Sequence, residues 1–465
     1  MRSFSIKSSY LNSDNRLIPL FYYYKYEVRR KNEERGIRYE ILGELSSLIS
    51  DGEHSQIKRL NEGDVRYLYG RNIREGTIDY DPISDDPFIS KIDYDNNKRC
   101  HIAENDVLIA IYGTVGKSAV YHESYVGVAG IPRHIANIRL KENCSITPEY
   151  LTLYFRSKAA KWQMNSMMTG NLQQLLKLKD IRKMALPIPD DEFIKRVTLK
   201  EKRGIECEEK AQVLINQATL LFYDAIKTPI KEIKEEEIMS VKFSDIDSSD
   251  MWTPKYYGRT ALKVLDLLKS QCSICTLRDI VDIRKGDEVG RDNYNEYIDR
   301  SATDVPFIRT SDIVNNEVDL YPDYYVKDQL SNEINQDNEY KDVLLTKDGK
   351  VGAVAMITAF DKVILSSGVV SMKINTLGKK LGITPEYLFA ALLIKEIGYY
   401  AAIRRTVIAS TIPHLREDRL KDIEIPIIPS IIEKVTSLIE EAFKQMENRK
   451  KLLKENEKDI ESYLG

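Results

Sequence analysis

Two stretches of the chain place apolar residues three or four positions apart through an otherwise charged sequence. The first runs from about Asp191 to Ala225, with Ile194, Val197, Ile205, Ala211, Ile215, Ala218, Phe222 and Ala225 on the repeat. The second runs from Ile431 to Leu464 and carries Val435, Leu438, Ala442, Met446, Leu453, Ile460 and Tyr463. That spacing predicts two long amphipathic helices. Their stripes are narrow, and residues 431–465 hold eight acidic and seven basic side chains, so each helix needs a partner helix. With one such helix in each half of the chain, pairing with each other is expected. Gly204 lies inside the first and disfavours helix by about 1 kcal/mol against Ala; a bend or break is expected there.

Ahead of each long helix the pattern shortens. Each half reads as a helix-leaning stretch, then short alternating strands with Gly, Asn and Asp turns. An Asp-Val-Leu-apolar segment and a Gly-x-x-Gly turn follow, both β in character. Thr147-Pro-Glu149 and Thr384-Pro-Glu386 predict helix starts, with Thr as cap, Pro at the first helical position and Glu in the first turn.

The chain repeats itself. Ile146-Thr-Pro-Glu-Tyr-Leu151 recurs letter for letter as Ile383-Thr-Pro-Glu-Tyr-Leu388. Asp106-Val-Leu-Ile-Ala110 matches Asp342-Val-Leu-Leu-Thr346, and Gly113-Thr-Val-Gly-Lys117 matches Gly349-Lys-Val-Gly-Ala353. Leu178-Lys-Asp-Ile181 matches Leu420-Lys-Asp-Ile423, each followed by a Pro-bounded strand end, and Leu42-Gly-Glu-Leu45 weakly matches Leu277-Arg-Asp-Ile280. Five features in one order at nearly constant offset define two tandem halves of about 235 residues. The charged stretch 227–237 reads as the linker, with Pro229 stopping the first helix.

Composition changes the picture only by exclusion. The 465 residues include 69 basic and 72 acidic side chains, a net charge of −3, so a nucleic-acid surface must be local rather than global. The longest uncharged run, 162–176, is too short and too polar to span a bilayer. Five Cys and an amino terminus without an apolar signal core point to a reducing, cytoplasmic setting with no membrane contact.

The near-matches to catalytic motifs fall short of the residues and spacing that their chemistry needs. The stretch Tyr112 to Ser118 invites a phosphate-loop reading, but Ile111 stands where that loop needs its first Gly, and the second repeat has Ala353 in place of the Lys. A tight strand-to-strand turn with Gly at positive φ fits better. Cys272-Ser-Ile-Cys275 has metal-ligand spacing without a second pair. Pro189-Asp190 with Glu208-Glu-Lys210 has a nuclease-like composition but falls on a helix already assigned to packing. The recurring units are architectural, and the chain reads as a binder.

The doubled order of Asp-Val-Leu, Gly-x-Val-Gly and Thr-Pro-Glu-Tyr-Leu resembles the specificity subunit of type I restriction–modification systems. Met168-Thr-Gly-Asn-Leu-Gln-Gln174, Ser410-Thr-Ile-Pro-His414 and the Asp51-Gly-Glu-His54 opening add to the resemblance. It implies an α+β fold of two similar target-recognition domains, mixed β-sheet with helices, joined by two long helices forming an antiparallel coiled coil. Expected boundaries are a first recognition domain over 1–189, a spacer helix over 190–228 and a linker over 229–240. A second recognition domain over 241–429 and a second spacer helix over 430–465 complete the chain. The resemblance further implies a non-catalytic subunit that binds double-stranded DNA and docks two DNA methyltransferase (modification) subunits, with optional restriction/translocase subunits. No cofactor is expected on this chain; AdoMet, ATP and Mg would sit on the partners. A specificity subunit of a type IIB-like methyltransferase–nuclease complex, a stand-alone nuclease and a protein-binding repeat scaffold remain open alternatives.

Two readers on a rigid spacer explain why such a chain is built twice. A 35-residue helix is roughly 52 Å long at about 1.5 Å per residue, ample to separate half-sites one duplex turn apart. Phosphate contacts position and base contacts specify. Between Tyr150 and Leu186 seven basic residues face one acidic, and from Lys395 to Lys421 six face three; a plain solvated surface accounts for any one of them as well. Candidate DNA-binding side chains in the first half are His54, Gln56, Lys58, Arg59, Arg71, Asn72, Lys117, Arg133, His134, Lys177 and Lys179. In the second half they are Arg284, Lys285, Arg291, Arg309, Thr310, Lys347, Lys350, Arg404 and Arg405. The loops after the first strand differ between the halves, 51–59 against 284–291, so unlike half-sites are expected.

Overall fold

Each half of the chain builds the same four-stranded antiparallel sheet. The structure, a computed structural model, describes residues 22–23, 29–80, 87–169, 174–226, 240, 242–244, 246, 252–288, 298–299, 305–327, 334, 336–409 and 412–464. In the first half the strand order is Ser46–Asp51, Ile135–Leu140, Val107–Ala110, Ser118–Val120; in the second it is Val281–Lys285, Val369–Ile374, Val343–Thr346, Val354–Met356. Even the register repeats. Val107 faces Ile138 and Ala110 faces Ile135, as Val343 faces Met372 and Thr346 faces Val369.

The repeated motifs earn their place through backbone chemistry. Asp106, fully buried, accepts hydrogen bonds from the Ala103 amide (2.8 Å) and from Asn137 Nδ2 (2.7 Å). Asp342 likewise accepts from the Glu339 amide (3.0 Å) and Ser371 Oγ (3.0 Å). Each latches the turn that launches the central strand. The Gly-x-x-Gly segments are strand-to-strand turns as expected, with φ of +78° and +94° at Gly113 and Gly116 and +64° and +93° at Gly349 and Gly352.

The six-residue identity marks a triple tie. Thr147 and Thr384 cap the helices Pro148–Arg156 and Pro385–Leu393, each accepting at 3.1 Å from the amide three residues on. The same hydroxyls meet Thr198 and Thr436 on the long helices, both at 2.7 Å. Tyr150 and Tyr387 donate to the carbonyls of Pro187 (2.7 Å) and Pro426 (2.9 Å). Those prolines lie on the closing strands Ala185–Ile188 and Glu424–Ile427, which pair with Arg38–Ile41 and Ser273–Thr276. One-turn helices Leu42–Leu45 and Leu277–Ile280 follow, so even the weak match has a structural counterpart.

A second, smaller sheet also recurs. Its central strand, Val65–Tyr67 or Val305–Ile308, pairs antiparallel with Phe88–Ile89 or Tyr325–Val326 and parallel with Ala129–Gly130 or Ile364–Leu365. The second half adds an edge strand, Ile298–Asp299.

The chain divides into two compact units, residues 1–206 with 451–465 and residues 207–450. The long helices run Asp191–Ala225 and Pro429–Leu464. The helix is not broken at Gly204, a buried position inside an uninterrupted run, where a propensity deficit of about 1 kcal/mol is outweighed by packing. Within the first unit the two helices run antiparallel: the Phe193 ring meets that of Tyr463, tilted, at 4.8 Å, Lys200 Nζ pairs with Asp459 at 2.9 Å, and Asn456 Nδ2 donates to Val197 O and Glu201 Oε1, both at 2.9 Å. Within the second, Ala211, Ile215, Ala218 and Phe222 share a core with Val435, Ile439, Ala442 and Met446. The fold is therefore α+β, two similar tandem domains with two long antiparallel helices. The linker stretch 227–237 lies outside the described residues. Among the described residues no helix is long and apolar enough to cross a membrane.

Candidate nucleic-acid interface

Two glycines fix where the loops of each unit meet. A Cβ on Gly52 would lie 2.1 Å from Ile131 O, and one on Gly286 would lie 2.3 Å from Ser366 O. Backbone crosses backbone at both, so only Gly fits. Beyond the crossing, Glu53 bridges Pro132 and Asp287 bridges Ser366. His54 thus stands where the second unit has Glu288, and Arg133-His134 stand where it has Ser367-Gly368. The Gly turns align Tyr112 with Asp348; the former bridges Leu175, the latter His414. The short helical turns Gly70–Asn72 and Thr310–Asp312 align Tyr69 with Arg309 and Gly70 with Thr310.

In the first unit this geometry gathers His54, Arg71, Tyr112, Thr114, Arg133 and His134 at one end of the sheets. Thr114 Oγ1 donates to Gly70 O at 3.2 Å, the Tyr112 and His134 rings lie 5.2 Å apart, and the Arg133 amide donates to Glu53 O at 2.9 Å. The Arg59 guanidinium lies 3.9 Å over Tyr67 and 4.2 Å over Tyr69, while Arg71 lies 4.6 Å over Tyr69; two cations thus share one aromatic face pair. Burial, then the charges of Arg133 and His54, hold the His134 imidazole below its ordinary pKa, which favours the neutral ring with one donor and one acceptor. Burial opposes ionisation of Asp51, but hydrogen bonds from Arg99 (2.5 Å) and His54 (2.8 Å) outweigh it and keep the carboxyl below its usual range. Gln56, Lys58, Arg71, Arg133, Lys177 and Lys179 are exposed.

The second unit presents different chemistry at the matched positions. Arg309 is held by Asp312 (3.1 Å) and Asp323 (2.9 Å) and lies 4.2 Å over Tyr324. Asp348 takes His414 Nδ1 on one oxygen and Lys347 Nζ on the other, the latter at 3.1 Å. Thr310 packs against Gly368, whose absent Cβ would fall 2.8 Å from Thr310 Cγ2. Lys350 Nζ donates to Ile313 O at 3.0 Å. Exposed Arg284 and Lys285 pair with Asp337 (3.1 Å) and Glu288 (3.8 Å). Arg291 lies outside the described residues.

Five of the side chains expected to bind DNA are buried in the fold. Lys117 is 8%, Lys347 3%, Arg404 6% and Arg405 3% exposed, and Asn72 is also buried. Asn72 accepts from the Tyr69 amide at 2.7 Å and donates to Asp79 O at 2.9 Å, so it shapes its turn. Arg404 and Arg405 share the carboxylate of Glu424, at 3.0 and 2.8 Å. Their charge is consumed inside the second unit. The same holds for Arg156 in the first, buried on Glu201 at 2.5 Å, which thins the basic run between 150 and 186. Asp190 accepts from the Phe193 amide at 2.8 Å as a helix cap, and Glu208 pairs with Arg449 at 3.1 Å; the nuclease-like pair is dispersed into structural roles. Sequence reasoning missed Tyr112 and Asp348, which the offset between Gly113 and Gly349 could have located, and Tyr69, which no repeated motif marks.

The two units thus repeat one framework, each with its own loop cluster. The family described as "Type I restriction modification DNA specificity domain" matches residues 42–196 and 270–462, and the chain belongs to it. No match is found among curated proteins. Among solved structures, a type I restriction–modification system S subunit from M. genitalium aligns over 92% of this chain and 92% of its own, with 12% identity and a TM-score of 0.31. The HsdS subunit from Thermoanaerobacter tengcongensis aligns over 92% and 95%, with 15% identity and a TM-score of 0.28. The family assignment rests on the sequence match alone. This chain is a DNA-recognition subunit of the type I restriction–modification class.

Proposed function

We propose that each recognition domain reads one half of an asymmetric bipartite DNA site, with the long helices setting the gap and docking two DNA methyltransferase subunits. One observation carries this reading: the same sheet order and register built twice, with unlike side chains at matched loop positions. Tyr112 against Asp348, Arg133-His134 against Ser367-Gly368 and His54 against Glu288 supply different hydrogen-bonding faces on one scaffold. Base edges in the major groove are told apart by such differences. Exposed Lys177, Lys179, Arg284 and Lys285 supply the sequence-independent phosphate component. The chain acts by recognition; AdoMet, ATP and Mg belong to its methyltransferase and restriction partners, in the cytoplasm.

Selection of random duplex by the full chain assembled with modification subunits tests this. Two unlike half-sites separated by an unread gap are expected. Identical half-sites, or one contiguous site, would overturn it, and cleavage of DNA with Mg by the chain alone would favour a nuclease.

A further inference from the structure

The second unit carries a two-stranded ribbon, Val407–Ala409 paired with Ile412–His414, in the register Val407 to His414, Ile408 to Pro413 and Ala409 to Ile412. Residues opposite one another share a face of a ribbon, and successive residues alternate faces. Ile408 and Ile412 therefore lie on opposite faces, and they are 70% and 56% exposed. A ribbon packed on its own domain would hide one face. This one shows a β-branched apolar side chain on each, so neither face is sealed against its own domain and the ribbon is free to enter a groove.

Several features say which groove. No residue of 407–414 is acidic. At its root the ribbon is pinned to the recognition loops: the Gly349 amide donates to Pro413 O at 2.9 Å and the Leu415 amide to Lys347 O at 2.8 Å. Asp348, the carboxylate at that root, is neutralised between Lys347 and His414. A ribbon without acidic residues, rooted on a carboxylate already paired with Lys347 and His414, suits a polyanion. The major groove, about 12 Å wide, admits a two-stranded ribbon between its phosphate walls and shows the thymine 5-methyl on its floor. Resting on the bipartite reading above, we propose that this ribbon enters the major groove of the second half-site, with Ile408 and Ile412 against thymine methyl groups. The bridges that align Leu175 with His414 match Ile408 and Ile412 in sequence to Thr169 and Gln173, both polar, so methyl reading belongs to one half-site only.

The test uses the full chain assembled with its modification subunits and the bipartite duplex recovered by selection. That duplex is resynthesised with deoxyuridine for thymidine in one half-site at a time. Wild-type binding should weaken by about fourfold per contacted methyl in one half-site. Ile408→Ser and Ile412→Ser, which remove nothing from the core, should abolish thymine–uracil discrimination in that half-site while leaving the preference of the other intact. A second half-site without an A·T pair, or variants that bind thymine and uracil duplexes with an equal loss, would overturn the ribbon's role. Loss of modification-subunit assembly in the variants would also overturn it, and assign the ribbon to a protein partner. Failure of selection to yield any bipartite site would instead sink the underlying reading.

Discussion

Replacing Glu317 by Gln should change how the stability of the second unit depends on pH. Glu317 is buried among Arg449 (3.0 Å), Lys450 (3.8 Å), Glu208 and Asp361, and Lys450 Nζ lies 2.7 Å from Asp361. Three carboxylates thus surround two cations in a site closed to water, leaving one negative charge uncompensated. Burial first, opposed by Arg449 and Lys450 and reinforced by Glu208 and Asp361, pushes the Glu317 carboxyl up to about 7 from 4.5. In the folded state it keeps its proton where the unfolded chain has lost it. Its contribution to stability is therefore full below pH 4.5 and is lost as pH rises through 7. The loss is worth about 3 kcal/mol. Glu317→Gln leaves two carboxylates facing two cations and removes this dependence, so the variant should gain on wild type by about that amount between pH 4.5 and 8. Amide hydrogen exchange on Val343–Thr346, inside the core of the same unit, reads the opening free energy directly. A difference between variant and wild type that stays flat across this range would refute the reasoning.

Other outcomes follow from the same geometry. Lys450→Met strands Asp361 without its partner and should destabilise the second unit by about 3–5 kcal/mol in the same exchange measurement. Gly52→Ala and Gly286→Ala each force a Cβ into a carbonyl and should destabilise by at least about 1–3 kcal/mol, read by thermal unfolding. Arg405→Gln breaks the shared contact to Glu424 and should lower stability without altering the selected sequence. Arg71→Ala or Arg133→Ala at exposed loop positions should weaken binding by about 1–3 kcal/mol and relax one position of the selected site; uniform weakening on all sequences would exclude base contact. Deleting residues 211–214, one helical turn, should shorten the unread gap or abolish binding; an unchanged gap would exclude a spacer role for the helix.

The framework was legible because its signals are local or repeated. The three–four stripe of Ala211, Ile215, Ala218 and Phe222 needs only periodicity, and Thr147 and Thr384 announce their caps within three residues. Duplication then multiplied each weak motif by two. The interface was harder to read, since it depends on burial. Arg404 and Arg71 look alike in a sequence, yet one is spent on Glu424 and the other stands in solvent. Nothing local distinguishes Lys450, fully buried on Asp361, from the exposed Lys451 beside it. Gly52 and Gly286 were hidden in loops of unlike sequence, and only the backbone crossings at Ile131 and Ser366 align them. Gly204 was overestimated for the opposite reason: propensity is local, and tertiary packing of the helix outweighs it.

Base-resolution methylation mapping of the source genome, with and without this chain, puts the central claim to its most direct trial. One protein holding two unlike readers at a set distance predicts a methylated motif of two different half-sites around an unread gap, vanishing when the chain is removed. A palindromic or uninterrupted motif, or methylation that persists without the chain, would contradict it.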